Sequence, residues 1–424
     1  VAAVKLRNGE TDSVTWYQYR IPIEDYENRV GGINDYSSIR FMRIFLTGFQ
    51  KPIIIRLASL DLVRGEWRNY AQQLSSASVG SMTSNSVSIE ENNDKTPVNY
   101  VLPPGISRAT DPTQSQLVEQ NEAALSLIVK NLSTNEAHAV YKNTTLDLRE
   151  YKTLQMFVHA NALDPNISSL QNDQLAVFIR LGSDYKNNYY EYEIPLTLTP
   201  AGKYNRYSLA DCKAVWPEAN MLNVPLALFS KVKKNRNIAK AEGLASYIQE
   251  YSQYDANNPS NRVSIMGNPT LGEIKTIMIG VRNKSAAVRS GEIWVNELRV
   301  LGENNSGGWA AQANLNMQLS DLGTVNVQGK YVSSGFGGLE DGILARSTDN
   351  VGSYTVTTSL DLGKFFPDKA KVTIPLYYSV TKQTTTPKYN PLDTDVKLSD
   401  ALDVLPEKKE KDSLKSIAIT RITN

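Results

Sequence analysis

Side chains able to do chemistry are few and scattered. Cys212 is the only cysteine, and His138 and His159 are the only histidines. A lone thiol closes no intrachain disulfide, and two imidazoles leave few ligands for a zinc site or a histidine-based triad. No motif makes Cys212 a nucleophile, so it reads as an ordinary packed or half-exposed thiol. Asp393, Asp395, Asp400 and Asp403 are carboxylates of the kind that bind calcium, but their spacing is not that of an EF-hand loop and its turn glycine is missing. They read as turn and cap residues on a solvent-facing loop. A glycoside hydrolase needs two opposed carboxylates, and no spacing here singles out a pair. Tyr185, Tyr189, Tyr190 and Tyr192 are available to stack on sugars, although Tyr190 and Tyr192 share a strand parity and are expected to pack against a sheet. The basic run Lys231, Lys233, Lys234 and Arg236 is expected to be a solvated face. No catalytic, cofactor-binding or metal-ligating set emerges, so the chain is expected not to be an enzyme and to need no cofactor.

Composition narrows the classes further. The chain has 424 residues, of which 41% are apolar, enough for two or three cores. Its 45 basic and 44 acidic residues give a net charge of +1. That balance offers no electrostatic case for nucleic acid or for a polybasic membrane surface. The opening VAAVKLRNGE has no basic region followed by an apolar one, so no signal peptide is expected there. No run of 18 apolar residues exists, which excludes a transmembrane helix but not a β-barrel, whose alternating strands average to a polar score.

The positioning elements read as strands. Residues 1–70 contain VTWYQYRIPI, SIRFMRIFLTGF and PIIIRLASLDLVRGEWR, the last two apolar on both parities as in sandwich core strands. Residues 71–121 turn to Ser, Asn, Gly and Pro around one isolated alternating strand and read as a linker or long loops. Residues 122–301 give short β-rich runs separated by turn residues, the pattern of an antiparallel sandwich of jelly-roll type. An insertion at 220–261 is expected to hold a short helix over Ala239 to Tyr251 and then a polar loop. WYQYRIPI (Trp16 to Ile23) repeats in YYEYEIPL (Tyr189 to Leu196), which makes residues 1–70 the expected second half of a sandwich beginning before Val1.

After the Gly-rich linker 302–308 the strand format changes. Over 309–385 four strands share one alternating format, nearly perfect in the first, apolar Leu315, Met317, Val325, Val327, Val356, Leu360, Ile374 and Leu376 against polar Asn314, Asn316, Gln328, Thr357 and Thr373. A soluble sheet with one face on a core gives this alternation too. Strand length near ten, a meander with one short and one long turn, and aromatics at strand ends (Trp309, Tyr331, Phe365, Phe366) favour a transmembrane barrel. On that reading the apolar set faces lipid and the polar set a watery lumen. Four strands cannot close a barrel, and an open edge in hydrocarbon leaves several kcal/mol unmet at each group. Residues 386–424 read as a polar loop with a short helix over SDALDVL.

The strings GEIWVNELRV, GGWAAQANLNMQLSDLGTVNVQGKY, LGKFFPDK, IPLYYSVTKQTTTPKYNPLDTDVKLSDALD and EKDSLKSIA, between Gly291 and Ala418, carry a resemblance. They resemble the SprA/Sov family, outer-membrane translocons of the type IX secretion system of Bacteroidota. The resemblance implies an all-β protein, with β-sandwich domains followed by strands of a large transmembrane β-barrel. It implies a channel that passes folded cargo to the surface of a Gram-negative cell. Its implied partners are outer-membrane lipid, a PorV-type partner barrel at a lateral opening, a plug protein and the secreted cargo. It further implies that the present chain is a piece of something much longer.

Overall fold

The structure, a computed structural model, describes residues 2–5, 8–14, 17, 19, 21, 27–28, 30, 42–57, 66–71, 74, 79–110, 119–166, 169–405 and 407–424. The chain divides into two units, Val1–Val63 and Arg64–Asn424. In the first, β1 (Ala2–Lys5) and β2 (Thr11–Val14) form an antiparallel hairpin, the only strand pairing among the described residues of that unit. Most of the expected strand from Val14 to Ile23 lies outside the described residues, and so does the start of that from Ser38 to Phe49. Residues 42–57, expected as paired core strands, carry no regular secondary structure, and Ile54 is 91% exposed. An apolar run becomes a core strand only where partners cover it, and no described strand of this unit does so.

The second unit opens with a two-sheet sandwich. In chain order its elements are β3 (Arg68–Asn69), β4 (Ser81–Ser88), β5 (Ala123–Leu132), β6 (Ala137–Leu146), β7 (Tyr151–Asn161), β8 (Leu175–Gly182), β9 (Tyr189–Pro195), α1 (Leu209–Val215), β10 (Leu222–Pro225), α2 (Ala227–Ala241), β11 (Tyr251–Tyr254), β12 (Arg262–Met266), β13 (Ile274–Asn283) and β14 (Arg289–Glu303). One sheet has the order β10-β7-β14-β5-β4 and the other β11-β12-β9-β8-β13-β6-β3, all neighbours antiparallel. Strand parity sorts the side chains. Val177, Ile179 and Leu181 of β8, Ile277, Ile279 and Val281 of β13 and Ile293 and Val295 of β14 meet in the core between the sheets. Each such aliphatic contributes roughly 1.5–3 kcal/mol when fully buried. The opposite parity of β14 places Trp294 in a second core with Phe157, Trp216, Tyr100, Val87 and Ile89.

That second core corrects the expected linker. β4 is not isolated but the edge of the five-stranded sheet, paired with β5 from Ser81↔Lys130 to Ser88↔Ala123. The segment expected as loop buries Val98, Tyr100 and Val101 over Trp294. Its alternation is confined to Val87 and Ile89 and carries no sign of a neighbour, and here the strand is held by its ladder to β5 and by those two residues at its end. The insertion helix is displaced as well. α2 runs over Ala227–Ala241 and ends just before Gly243, whose φ of +78° suits glycine, so the expected helix over Ala239 to Tyr251 forms only at its first residues.

Beyond the sandwich come β15 (Ala310–Leu319), β16 (Gly323–Val332), β17 (Asp349–Asp361) and β18 (Pro375–Pro387), an antiparallel meander. Residues 386–424, expected as a polar loop with one helix, hold β19 (Tyr389–Asn390), β20 (Asp393–Lys397), α3 (Leu398–Val404), α4 (Lys408–Ala418) and β21 (Thr420–Thr423). β21 extends the meander by pairing with Lys382–Thr385 of β18. The fold is all-β and sandwich-like, and among the described residues no strand pairing closes the five-stranded meander into a barrel.

Candidate functional site: the amphipathic sheet and its mooring

Register decides which side chains share a face of the meander, because directly paired residues point the same way. Leu315, Val327, Val356 and Val380 form one transverse row, flanked by Met317, Val325, Thr358 and Tyr378 and then by Leu319, Gly323, Leu360 and Leu376. Seven of the eight residues in the sequence-derived apolar set therefore lie on one face. Ile374 precedes β18, where its backbone N–H reaches Asp361 Oδ1 at 3.0 Å and its carbonyl accepts from Leu362 at 2.8 Å. The rows Asn314, Gln328, Thr355, Thr381 and Asn316, Asn326, Thr357, Ser379 form the other face, while Thr373 also lies before β18. Side chains bridge the strands there: Asn326 Nδ2 donates to Asn316 Oδ1 at 3.1 Å, and hydroxyls pair between Thr355 and Thr381 at 3.0 Å and between Thr357 and Ser379 at 3.2 Å.

Among the described residues no element packs over the apolar face, whose side chains are half-buried to exposed. Leu315 is 54% exposed, and Met317, Leu376 and Tyr378 are exposed too. Trp309 and Tyr331 lie with ring centroids 4.7 Å apart and planes tilted by 31° at the end of the sheet nearest the linker. Phe365 and Phe366 are exposed at the opposite end, in the connection from β17 to β18. Ten residues at about 3.3 Å each, tilted by about 45°, rise about 23 Å, close to the apolar band of an outer-membrane barrel at about 25 Å.

Both ends of the meander are tied to one carboxylate of the sandwich. Glu150, in the turn before β7, accepts from Asn304 Nδ2 at 2.6 Å on the way into the sheet, and its backbone carbonyl accepts from the Asn304 N–H at 2.8 Å. On the way out it accepts from Lys388 Nζ at 2.6 Å and from the Tyr389 hydroxyl at 2.9 Å. Burial works to raise the Glu150 carboxyl, and the bonds from Lys388, Asn304 and Tyr389 outweigh it and hold it below the usual carboxylate range. The neighbouring Arg149 guanidinium lies over the Tyr389 ring at 4.5 Å and donates to the Thr394 carbonyl at 3.0 Å.

A second mooring corrects two expectations. Asp395 of β20 is fully buried at its side chain and meets Lys233 Nζ at 2.9 Å, with the Tyr190 hydroxyl donating to its other oxygen. Asp393 lies 3.2 Å from the same ammonium, and Asn237 Nδ2 donates to it at 3.2 Å. These carboxylates are therefore not on a solvent-facing loop. Nor is the basic run a solvated face throughout. Phe229, Val232, Lys233 and Arg236 are spaced as one inward stripe of α2, and Arg236 donates to the Gly267 carbonyl under the Tyr247 ring at 4.4 Å. Lys231 and Lys234 remain outside. The stripe was legible as helical spacing, but its partner 162 residues later was not.

The remaining candidates fall into structural places. Tyr190 and Tyr192 are in the sandwich core, and Tyr189 is buried on the outer face of the seven-stranded sheet over Arg180 at 4.1 Å. Tyr185 packs against Tyr141 and Tyr70. On that outer face Glu191 binds Arg180 at 2.5 Å, Arg282 at 3.1 Å and Arg262 at 3.2 Å. His159 is enclosed between Asn161, the Val215 carbonyl and the Trp294 ring, 4.0 Å away. Cys212 is buried in α1, and burial pushes its thiol up. Among the described residues no group of three or more His, Cys, Asp or Glu is placed to hold a metal ion, and no helix is long and apolar enough to cross a membrane.

Residues 1–402 match the model of a family described as motility related/secretion protein, SprA_N. No curated protein matches the chain.

Proposed function

The chain belongs to the SprA_N family of motility-related and secretion proteins, and from that premise we propose that it builds part of the wall of a protein-conducting channel in the outer membrane. The amphipathic sheet carries this reading. A meander of long strands with an uncovered apolar face and a hydrogen-bonded polar face fits a solvent that changes from hydrocarbon to water across one layer. Leu315, Met317, Val325, Val327, Val356, Leu360 and Leu376 face lipid. Asn314, Asn316, Gln328 and Thr357 face the lumen.

The outer edge of β15 has no neighbour among the described residues. Its amides and carbonyls need further strands wherever they meet hydrocarbon, so a larger wall completes the channel. The role is non-enzymatic: the channel is the translocon of a type IX secretion system and passes folded cargo to the surface of a Bacteroidota-like Gram-negative cell. A PorV-type barrel, a plug protein and the cargo are its protein partners. The sandwich lies outside the bilayer.

Cysteine accessibility in lipid tests the reading, with buried Cys212 as a quiet background. In lipid nanodiscs a water-soluble maleimide is expected to label Asn314→Cys and spare Leu315→Cys. Equal labelling of the two would remove the membrane assignment.

A further inference from the structure

A cleft of about 390 Å3 opens between the start of α2 and the edge strand β11. Pockets that hold small molecules begin at about 300 Å3. The Tyr254 ring on its wall is 69% exposed and presents an aromatic face to solvent. Asn235 Nδ2 donates to Gln253 Oε1 at 3.0 Å. That bond pins both amides and leaves a Gln253 N–H donor beside the Asn235 carbonyl acceptor. Asn257 adds a third amide to the wall.

The two charges of the cleft differ in exposure, with the carboxylate buried and the ammonium open to solvent. Asp255 is the only carboxylate in the lining, and it is already engaged, accepting from the Tyr192 hydroxyl at 2.8 Å and from the Asn257 N–H at 2.9 Å. Lys231 is exposed on α2 and makes no ion pair among the described residues. The remaining demand is for an anion held next to donor and acceptor groups and one ring face. A sugar hydroxyl both donates and accepts, which matches the Gln253 and Asn235 pair, and a pyranose ring presents a flat C–H face to an aromatic. We propose that this cleft binds an acidic saccharide of one or two rings, with its carboxylate on Lys231 and its ring on Tyr254. Sugar stacking thus sits apart from Tyr185, Tyr189, Tyr190 and Tyr192, which pack elsewhere.

Ligand-observed NMR titration of the full chain provides the test, with three probes: a hexuronic acid disaccharide, its neutral hexose counterpart and inorganic phosphate. The acidic disaccharide is expected to bind about fivefold or more tighter than the neutral one, a difference that Lys231→Gln removes. Tyr254→Ala is expected to weaken both sugars by about tenfold. Both side chains are exposed, and unchanged circular dichroism will show that the variants fold. Failure of the acidic sugar to saturate, binding of phosphate as tight as that of the acidic sugar, or titrations unaltered by both variants would each overturn the assignment.

Discussion

Lys233 of α2 and Asp395 of β20 form an ion pair of 2.9 Å with both side chains sealed from solvent. The pair ties the segment that follows the meander to the sandwich, across a loop of sequence that contains every strand from β11 to β19.

Breaking such a pair leaves a buried charge without its partner, which costs about 3–5 kcal/mol. Lys233→Met is therefore expected to destabilise the unit by that order in urea unfolding. Lys233→Met combined with Asp395→Leu should recover most of the loss, because the double variant buries no orphan charge. A single variant as stable as the parent would remove the mooring as a stability element.

Facing on the meander makes opposite demands at adjacent positions. In a bilayer, Leu315→Arg is expected to cost ~2–4 kcal/mol while Asn314→Arg costs far less. Folding yield into lipid vesicles, followed by protease protection, measures the difference. Equal yields would dissociate the register rows from any lipid contact.

His159 gives the sandwich an acid limit. Burial depresses its imidazole from 6.5 to about 4, so the native state holds it neutral while the unfolded chain binds a proton below 6.5. Its stabilisation is complete above pH 6.5 and falls as pH drops toward 4, by roughly 3 kcal/mol in total. Urea unfolding from pH 7 to pH 4 should show this slope in the parent and lose it in His159→Asn. Parallel slopes would contradict the assignment.

Two neighbouring glycines of the linker should respond differently. A Cβ on Gly308 would lie 2.1 Å from the backbone nitrogen of Phe336, whereas one on Gly307 meets nothing within 4 Å. Gly308→Ala is expected to cost on the order of 1–3 kcal/mol through backbone displacement, and Gly307→Ala to be near neutral. Hydrogen exchange across Ala310–Leu319 reports it, with faster exchange expected only in Gly308→Ala.

How much of this could be read in the chain depended on whether the information was local. Alternation in Trp309 to Leu319 is a property of adjacent residues, so both faces of β15 could be assigned from sequence, and the ladder keeps the same grouping in β16 and β17. β4 was missed as a sheet member because its Ser-rich body lacks that contrast and its stability comes from β5. The inward cations of α2 were misread because a charge run carries no sign of a partner far along the chain. Lys233 is an interior residue only because Asp395 and the Pro269 carbonyl reach it. The cleft at Tyr254 had no local signature either, since α2 and β11 bring its walls together from two stretches of the insertion.

Glu150 holds Asn304 on one side and Lys388 with Tyr389 on the other. Mechanically, the meander is a loop of rope whose two ends are made fast at one cleat, with a second fastening further along the exit at Lys233. A pull on either end loads the same carboxylate. Lateral force on the strands would thus tilt them together about that point before it peeled any one of them away.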